Sequence, residues 1–272
     1  MTANIKNKNS IPEIKTFGCR LNIWESQVIS DQASKYGHSD LIIFNTCAVT
    51  SEAERQARQA IRSTKKDRPD AKILVTGCAA QINPKIWNEM PEVNFVVGNR
   101  EKLDKRFWEN FDINNETKSV NSIFVEDIMK VRETSEHLVD SFNNHTRGFV
   151  QVQNGCDHRC TFCIIPFGRG NNRSFEPQFL INEVKKNVSQ GVKEIVLTGV
   201  DISDYGSDFD KHYCMSKLIL DILNQTELKR LRLSSIDCVE IDKHFDEVLL
   251  NPRVMPHLHL SIQSGDLSLI HI

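Results

Sequence analysis

The sequence predicts an α/β protein: an N-terminal parallel-sheet domain over residues 1–110, a linker over 111–146, and a partial (β/α) barrel over 147–272. Three observations carry that prediction. Short apolar runs alternate with helical patterns twice along the chain, before Asn110 and again after Arg147. The two series are separated by a polar stretch of different composition. The 272 residues are enough for two ordinary domains, each with its own core.

In the first series IPEIKTFG, DLIIFNT, KILVTG and NFVVG read as strands, being short, apolar and stopped by Gly or polar residues. Leu21–Lys35, Ser51–Lys66 and Pro84–Met90 read as the helices between them. Ser51 with Glu54 has the spacing of a capping box. Residues 111–146 are rich in Asn, Ser, Thr and acids and read as an extended linker, with at most one strand at Ser122–Val125. From Arg147, RGFVQVQ, KEIVLTG, LKRLRLSS and PHLHLSIQ are strand candidates. Pro177–Ser189, His212–Gln225 and Glu240–Leu250 are the helices that follow them. Successive βα steps of this kind build a barrel or part of one.

Composition narrows the function classes. Apolar residues make up 39% and charged residues 26% of the chain, which excludes a disordered polymer. Thirty-four Lys and Arg against 36 Asp and Glu leave a net charge of -2, so any nucleic-acid surface must be local. The opening MTANIKNKNSIPEIK lacks the apolar segment of a secretory leader. No apolar run is long enough for a membrane helix. A cytoplasmic chain with no membrane partner is expected. Its eight cysteines then point to metal or catalysis rather than disulfides.

Cys156-x3-Cys160-x2-Cys163 follows a strand, and three thiolates this close can wrap one cluster from a single loop. Three cysteines on a four-iron cluster leave one iron open to a small molecule, as catalytic zinc sites keep one position open. A zinc site completed by His158, or three free thiols, are the competing readings. The loop CDHRCTFCIIPFGRG resembles that of the radical S-adenosylmethionine (SAM) enzymes. The resemblance implies a partial or full barrel and a [4Fe-4S] cluster on Cys156, Cys160 and Cys163. Its open iron would chelate SAM, and one electron would cleave SAM to a 5′-deoxyadenosyl radical. It also implies that Phe162 lies near the adenine and that Gly199 in LTGVD receives the SAM amino group. Ser234, Ser235 and Gln263 sit at later strand ends facing the same barrel mouth.

A second set, Cys19, Cys47 and Cys78, is spaced too widely for one loop. Each follows a predicted strand, however, and the C-terminal ends of parallel strands share one edge. The alternative is three buried cysteines acting as small apolar residues. TFGCRLNIWES, FNTCAVTSEAERQARQ and VTGCAAQ resemble the N-terminal domain of the methylthiotransferases. That resemblance implies a second [4Fe-4S] cluster on these three cysteines, holding the sulfur to be inserted. Cys214 and Cys238 match neither set and read as structural. The flanking words look most like the branch that acts on N6-threonylcarbamoyladenosine beside the tRNA anticodon. The implied activity is addition of a methylthio group to the base carbon between two ring nitrogens, with the base leaving the anticodon-loop stack. The electron donor and the sulfur source are not legible.

One feature supports an RNA partner independently. On the helix from Ser51, Arg55, Arg58, Arg62, Lys65 and Lys66 share a face opposite Ala53, Ala57, Ala60, Ile61 and Thr64. Arg169 and Arg173, after the cluster loop, are read as further phosphate contacts. Members of the family continue past SGDLSLIHI into the rest of the barrel and a C-terminal RNA-gripping β-barrel, so a C-terminally truncated chain is expected. The competing functions are the same chemistry on isopentenyladenosine tRNA or a ribosomal protein, a non-catalytic iron–sulfur or RNA-binding module, and a structural zinc protein.

Overall fold

Every residue of the strand Leu41–Thr46 is buried, as expected of an interior parallel strand covered on both faces. In the computed structural model, which describes residues 11–114, 122–132, 147–209 and 213–266, this strand is β2 of a five-stranded sheet. The others are β1 (Glu13–Thr16), β3 (Lys72–Gly77), β4 (Phe95–Val97) and β5 (Ile123–Phe124). The order is β1-β2-β3-β4-β5, parallel throughout. The register pairs Thr16 with Asn45 and Thr46 with Gly77, so the first three strands end level.

The alternation of side chains divides the core in two. Ile42, Phe44, Ile73, Val75 and Val96 meet Ala57 and Ile61 of α2 (Ser51–Asp67). Leu41, Ile43, Leu74, Phe95 and Val97 meet Ile29 and Ala33 of α1 (Arg20–Lys35) on the opposite face. Since both crossovers step the same way across the sheet, they have opposite hands, and one departs from the usual right-handed rule.

Three details differ from the sequence expectation. Thr50, not Ser51, caps α2, its Oγ1 accepting from the Ala53 N–H at 3.2 Å. Glu54 therefore falls one position late for a capping box and pairs with Arg58 instead. A five-residue helix, α3 (Cys78–Ile82), precedes α4 (Pro84–Asn88); it is too short to show a period. After α5 (Lys105–Asn110), part of the expected linker is integral structure: Phe111 and Ile128 are buried, and β5 completes the sheet. The compact unit comprises Met1–Val131 and His158–Gly170, the latter carrying α6 (Ile165–Arg169). The expected linker residues 115–121 and 133–146 lie outside the described residues.

The second unit comprises Arg132–Asp157 and Asn171–Ile272. Its elements are β6 (Gly148–Gln151), an antiparallel pair β7 (Gln153–Asn154) and β8 (Arg173–Ser174), α7 (Pro177–Ser189) and β9 (Glu194–Thr198). They are followed by α8 (Met215–Gln225), β10 (Arg230–Leu233), β11 (Ser235–Asp237), α9 (Phe245–Leu250) and β12 (His259–Ser261). β6, β9 and β10 form a parallel sheet in the order β10-β9-β6. The third predicted strand is divided at Ser234, and its continuation β11 pairs in parallel with β12. Leu180, Val184, Leu218, Ile222 and Val248 from the three helices pack on Val150, Ile195, Leu197 and Leu231. This is the predicted partial barrel. His212 and the final segment LSLIHI lie outside the described residues. Among the described residues no helix is long and apolar enough to cross a membrane.

Candidate functional site

Cys19, Cys47 and Cys78 follow the level ends of β1, β2 and β3, and the backbone between them leaves no room for β-carbons. Gly18 has φ +96°, and a Cβ there would lie 2.6 Å from Cys47 Cβ. Gly77 has φ +99°, and a Cβ there would lie 2.2 Å from the Thr46 carbonyl oxygen. Only glycine satisfies both demands, the left-handed φ and the close approach. The two Gly-Cys words thus bring their chains down on either side of Cys47. Cys47 and Cys78 are buried and Cys19 is exposed. Burial pushes the Cys47 thiol above its ordinary pKa; the Val49 backbone opposes this, and the neighbouring Cys78 and Cys19 thiols add to it. Among the described residues the three sulfurs do not all lie within 4.8 Å of one another. A single tetrahedral ion with bonds near 2.3 Å holds its sulfurs about 3.8 Å apart. Three thiols converging at one sheet edge are a donor set for a thiolate-bound metal group.

Beneath the thiols lies a buried polar network. Asn22 Nδ2 donates to the carbonyls of Phe17 (2.6 Å) and Thr46 (3.2 Å), stitching β1 to β2 beside the cysteines. Asn45 Nδ2 donates to Asn22 O and Ser26 Oγ, both at 3.0 Å. Lys102 Nζ donates to Glu25 Oε2 (2.6 Å) and Asn45 Oδ1 (3.3 Å). Arg169 from α6 pairs with Glu25, donates through Nη2 to Asn22 Oδ1 (2.5 Å), and donates through Nε to Cys78 Sγ (3.0 Å). Asn99 Nδ2 donates to Gly168 O (2.5 Å) and approaches Cys78 Sγ at 3.7 Å. Burial alone would raise the Glu25 pKa, but Arg169 and Lys102 outweigh it and hold the carboxyl below the ordinary range. Burial lowers the Lys102 pKa despite Glu25. Burial opposes the charge on Arg169 too, but Cys78 and Glu25 more than restore it.

The Cys156 loop is organised differently. Gly155 has φ +78° and leads into Cys156, whose thiol lies 3.9 Å from Asp201 Oδ2. Gln153 braces this turn against β9: its Nε2 donates to Gly155 O and Asn172 Oδ1, both at 2.6 Å. Its Oε1 accepts from the N–H groups of Val200 (3.0 Å) and Asp201 (2.9 Å). A Cβ on Gly199 would lie 3.0 Å from Gln153 O, so the glycine permits the close approach of the two strand ends. Cys160 and Cys163 lie on a turn closed by the Cys163 N–H to Cys160 O bond (3.0 Å). Cys160 is exposed and Phe162 is 76% exposed.

The remaining predicted residues divide. Ser234 sits at the break between β10 and β11, buried, with no hydrogen-bond partner for its Oγ among the described residues. Ser235 Oγ lies 3.0 Å from His259 Nδ1, and Gln263 follows β12 exposed, with φ +58°. On α2, Ala57, Ile61 and Thr64 are buried while Arg55 and Arg62 are exposed. Arg55 is chelated by Glu52 through two 2.7 Å bonds, which hold the Glu52 carboxyl down at about 2. Arg58 pairs with Glu54 at 3.0 Å and lies over the Trp87 ring at 4.8 Å. Arg169 and Arg173 correct the sequence expectation. At 2% and 6% exposure they are buried, and Arg173 donates to Asn171 O at 2.9 Å, so neither presents a free cation to phosphate. The sequence reading also missed Glu25, Lys102, Asn99 and Gln153. Glu25 is a polar residue inside a core-forming helix; Asn99, Lys102 and Gln153 carry no local signal.

Two family models match the chain: Uncharacterized protein family UPF0004 over residues 12–98 and the Radical SAM superfamily over residues 150–270. The threonylcarbamoyladenosine tRNA methylthiotransferase MtaB of Rickettsia prowazekii (strain Madrid E) is 50% identical over 266 residues, 97% of this chain and 61% of that protein. This chain belongs to the radical SAM methylthiotransferase family. The protein of the same name from Bacillus subtilis (strain 168) is 36% identical, over 92% of this chain and 57% of its own length. The chain thus spans about 60% of the length of the curated relatives it matches. Among solved structures, the radical SAM methyltransferase TsrM of Kitasatospora setae, with tryptophan and a SAM analogue bound, superposes with a TM-score of 0.59. It does so at 14% identity, over 92% of this chain and 54% of that one, a likeness of fold.

Proposed function

We propose that this chain carries the catalytic core of a tRNA methylthiotransferase acting in the cytoplasm. The substrate would be N6-threonylcarbamoyladenosine in the anticodon loop, and the product its 2-methylthio derivative. The observation that carries the proposal is the second thiol set: three cysteines at adjacent strand ends, with N–H donors aimed at Cys78. Nitrogen donors on a buried sulfur suit an anionic, cluster-ligating thiolate. The 50% identity to the Rickettsia prowazekii protein over nearly the whole chain supports the branch.

In this reading Cys156, Cys160 and Cys163 would hold one [4Fe-4S] cluster, the site of SAM binding. Cys19, Cys47 and Cys78 would hold the other. Bound there, these groups supply the one-electron chemistry and the sulfur that an unactivated aromatic C–H bond demands. The protein's part is placement. Gln153 fixes the start of the first loop, and Gly199 lets the neighbouring strand end approach it. Gly199, Ser234, Ser235 and Gln263 would line the strand ends offered to SAM, with the Ser234 Oγ, which has no partner among the described residues, placed to accept or donate. Phe162 is free to cover the adenine. Arg55, Arg58 and Arg62 offer phosphate contacts from α2; the buried Arg169 and Arg173 do not.

Mass analysis of tRNA nucleosides tests the substrate. A strain lacking the gene should lose only the methylthio form of threonylcarbamoyladenosine. Loss of the isopentenyladenosine product, or of neither, contradicts the proposal.

A further inference from the structure

Resting on the cluster reading above, we infer that Arg169 is a positioning residue for the group held by Cys19, Cys47 and Cys78, biasing its reduction potential through Cys78. The juxtaposition is specific. The Arg169 guanidinium gives Nε to Cys78 Sγ at 3.0 Å, Nη2 to Asn22 Oδ1 at 2.5 Å, and its remaining edge to Glu25. A planar fork can serve three partners in fixed directions, which a lysine ammonium cannot reproduce. The side chain is 2% exposed, so solvent does not screen its charge. Asn99 adds a weaker N–H at 3.7 Å from the same sulfur and holds the Gly168 carbonyl, which fixes α6 against α3. Hydrogen bonds to ligand sulfurs and local charge are among the levers that set iron–sulfur potentials. Both act in one direction here, because a donor and a cation favour the more negative, reduced form. Arg169 therefore raises the potential.

The test uses the full chain carrying Cys156→Ala/Cys160→Ala/Cys163→Ala, so that iron on the second set alone is observed. After anaerobic reconstitution, midpoint potentials are read by EPR-monitored titration for this parent, Arg169→Lys and Arg169→Gln. A parent that binds no iron refutes the cluster reading itself. With iron bound, the expected result is a downward shift in Arg169→Gln and a smaller one in Arg169→Lys, which keeps the charge and loses the fork. Equal potentials at equal iron content overturn the inference. Since Arg169 also neutralises Glu25, a third variant, Glu25→Gln/Arg169→Gln, removes this pair and leaves Lys102 charged, so the net charge of the three buried groups is unchanged while the bond to Cys78 is lost. If only this variant folds, a lowered potential supports the inference. A parental potential in it reduces Arg169 to a counter-ion of Glu25.

Discussion

In the N-terminal unit, Cys47 and Cys78 are 5% exposed and lie over a network in which Asn22, Glu25, Asn45, Lys102 and Arg169 each meet a named partner. Around Cys160 the opposite holds: the cysteine is exposed, and Phe162 beside it is 76% exposed. The first site is shaped by the fold, with strand ends, two left-handed glycines and a buried ion network fixing it before any ligand arrives. The second is a short loop braced at its start by Gln153, with Cys160 and Phe162 exposed. A buried network commits the fold's stability to its polar groups; an exposed loop contributes little to that stability.

Mutations should separate the two. Glu25→Ala leaves Lys102 and Arg169 buried without their carboxylate and should cost about 3–5 kcal/mol in urea unfolding. Gly77→Ala forces a β-carbon into the Thr46 backbone at a positive φ. It should cost on the order of 3 kcal/mol and abolish iron on the N-terminal cysteines. The Glu25 pKa is depressed below its ordinary 4.5 in the folded chain. Its contribution to stability is therefore present above that value and is lost as the pH falls through the folded pKa. Glu25→Gln should flatten the acid limb of a stability–pH curve. Arg62→Ala on exposed α2 should leave unfolding unchanged and lower the slope of tRNA affinity against salt by about one unit. Phe162→Ala should change apo stability by less than about 0.5 kcal/mol, while weakening SAM binding measured on the reconstituted chain. A large stability loss there would erase the contrast between the sites.

The strands, the major helices and the edge shared by Cys19, Cys47 and Cys78 were legible because apolar periodicity and strand-end position are local signals. The network beneath them was not. Asn22, Glu25 and Ser26 in α1 look like a solvent face, yet all three are buried, because Lys102 and Arg169 return to them from 77 and 144 residues away. For the same reason Arg169 reads as a phosphate contact in sequence and is a buried donor in the fold. The stretch after Asn110 reads as a linker by composition, but Phe111, Ile128 and the two-residue β5 are enough to make it part of the first unit. The opposite placement of α1 and α2 leaves no trace in helical periodicity.

Iron and sulfide per chain after anaerobic reconstitution, in the wild type and in Cys156→Ala/Cys160→Ala/Cys163→Ala, test the two-site account most directly. About eight irons falling to about four is the predicted result, since each four-iron cluster would then stand independently. About four falling to nearly none would show that Cys19, Cys47 and Cys78 assemble no cluster, and sulfur insertion by this chain would be contradicted.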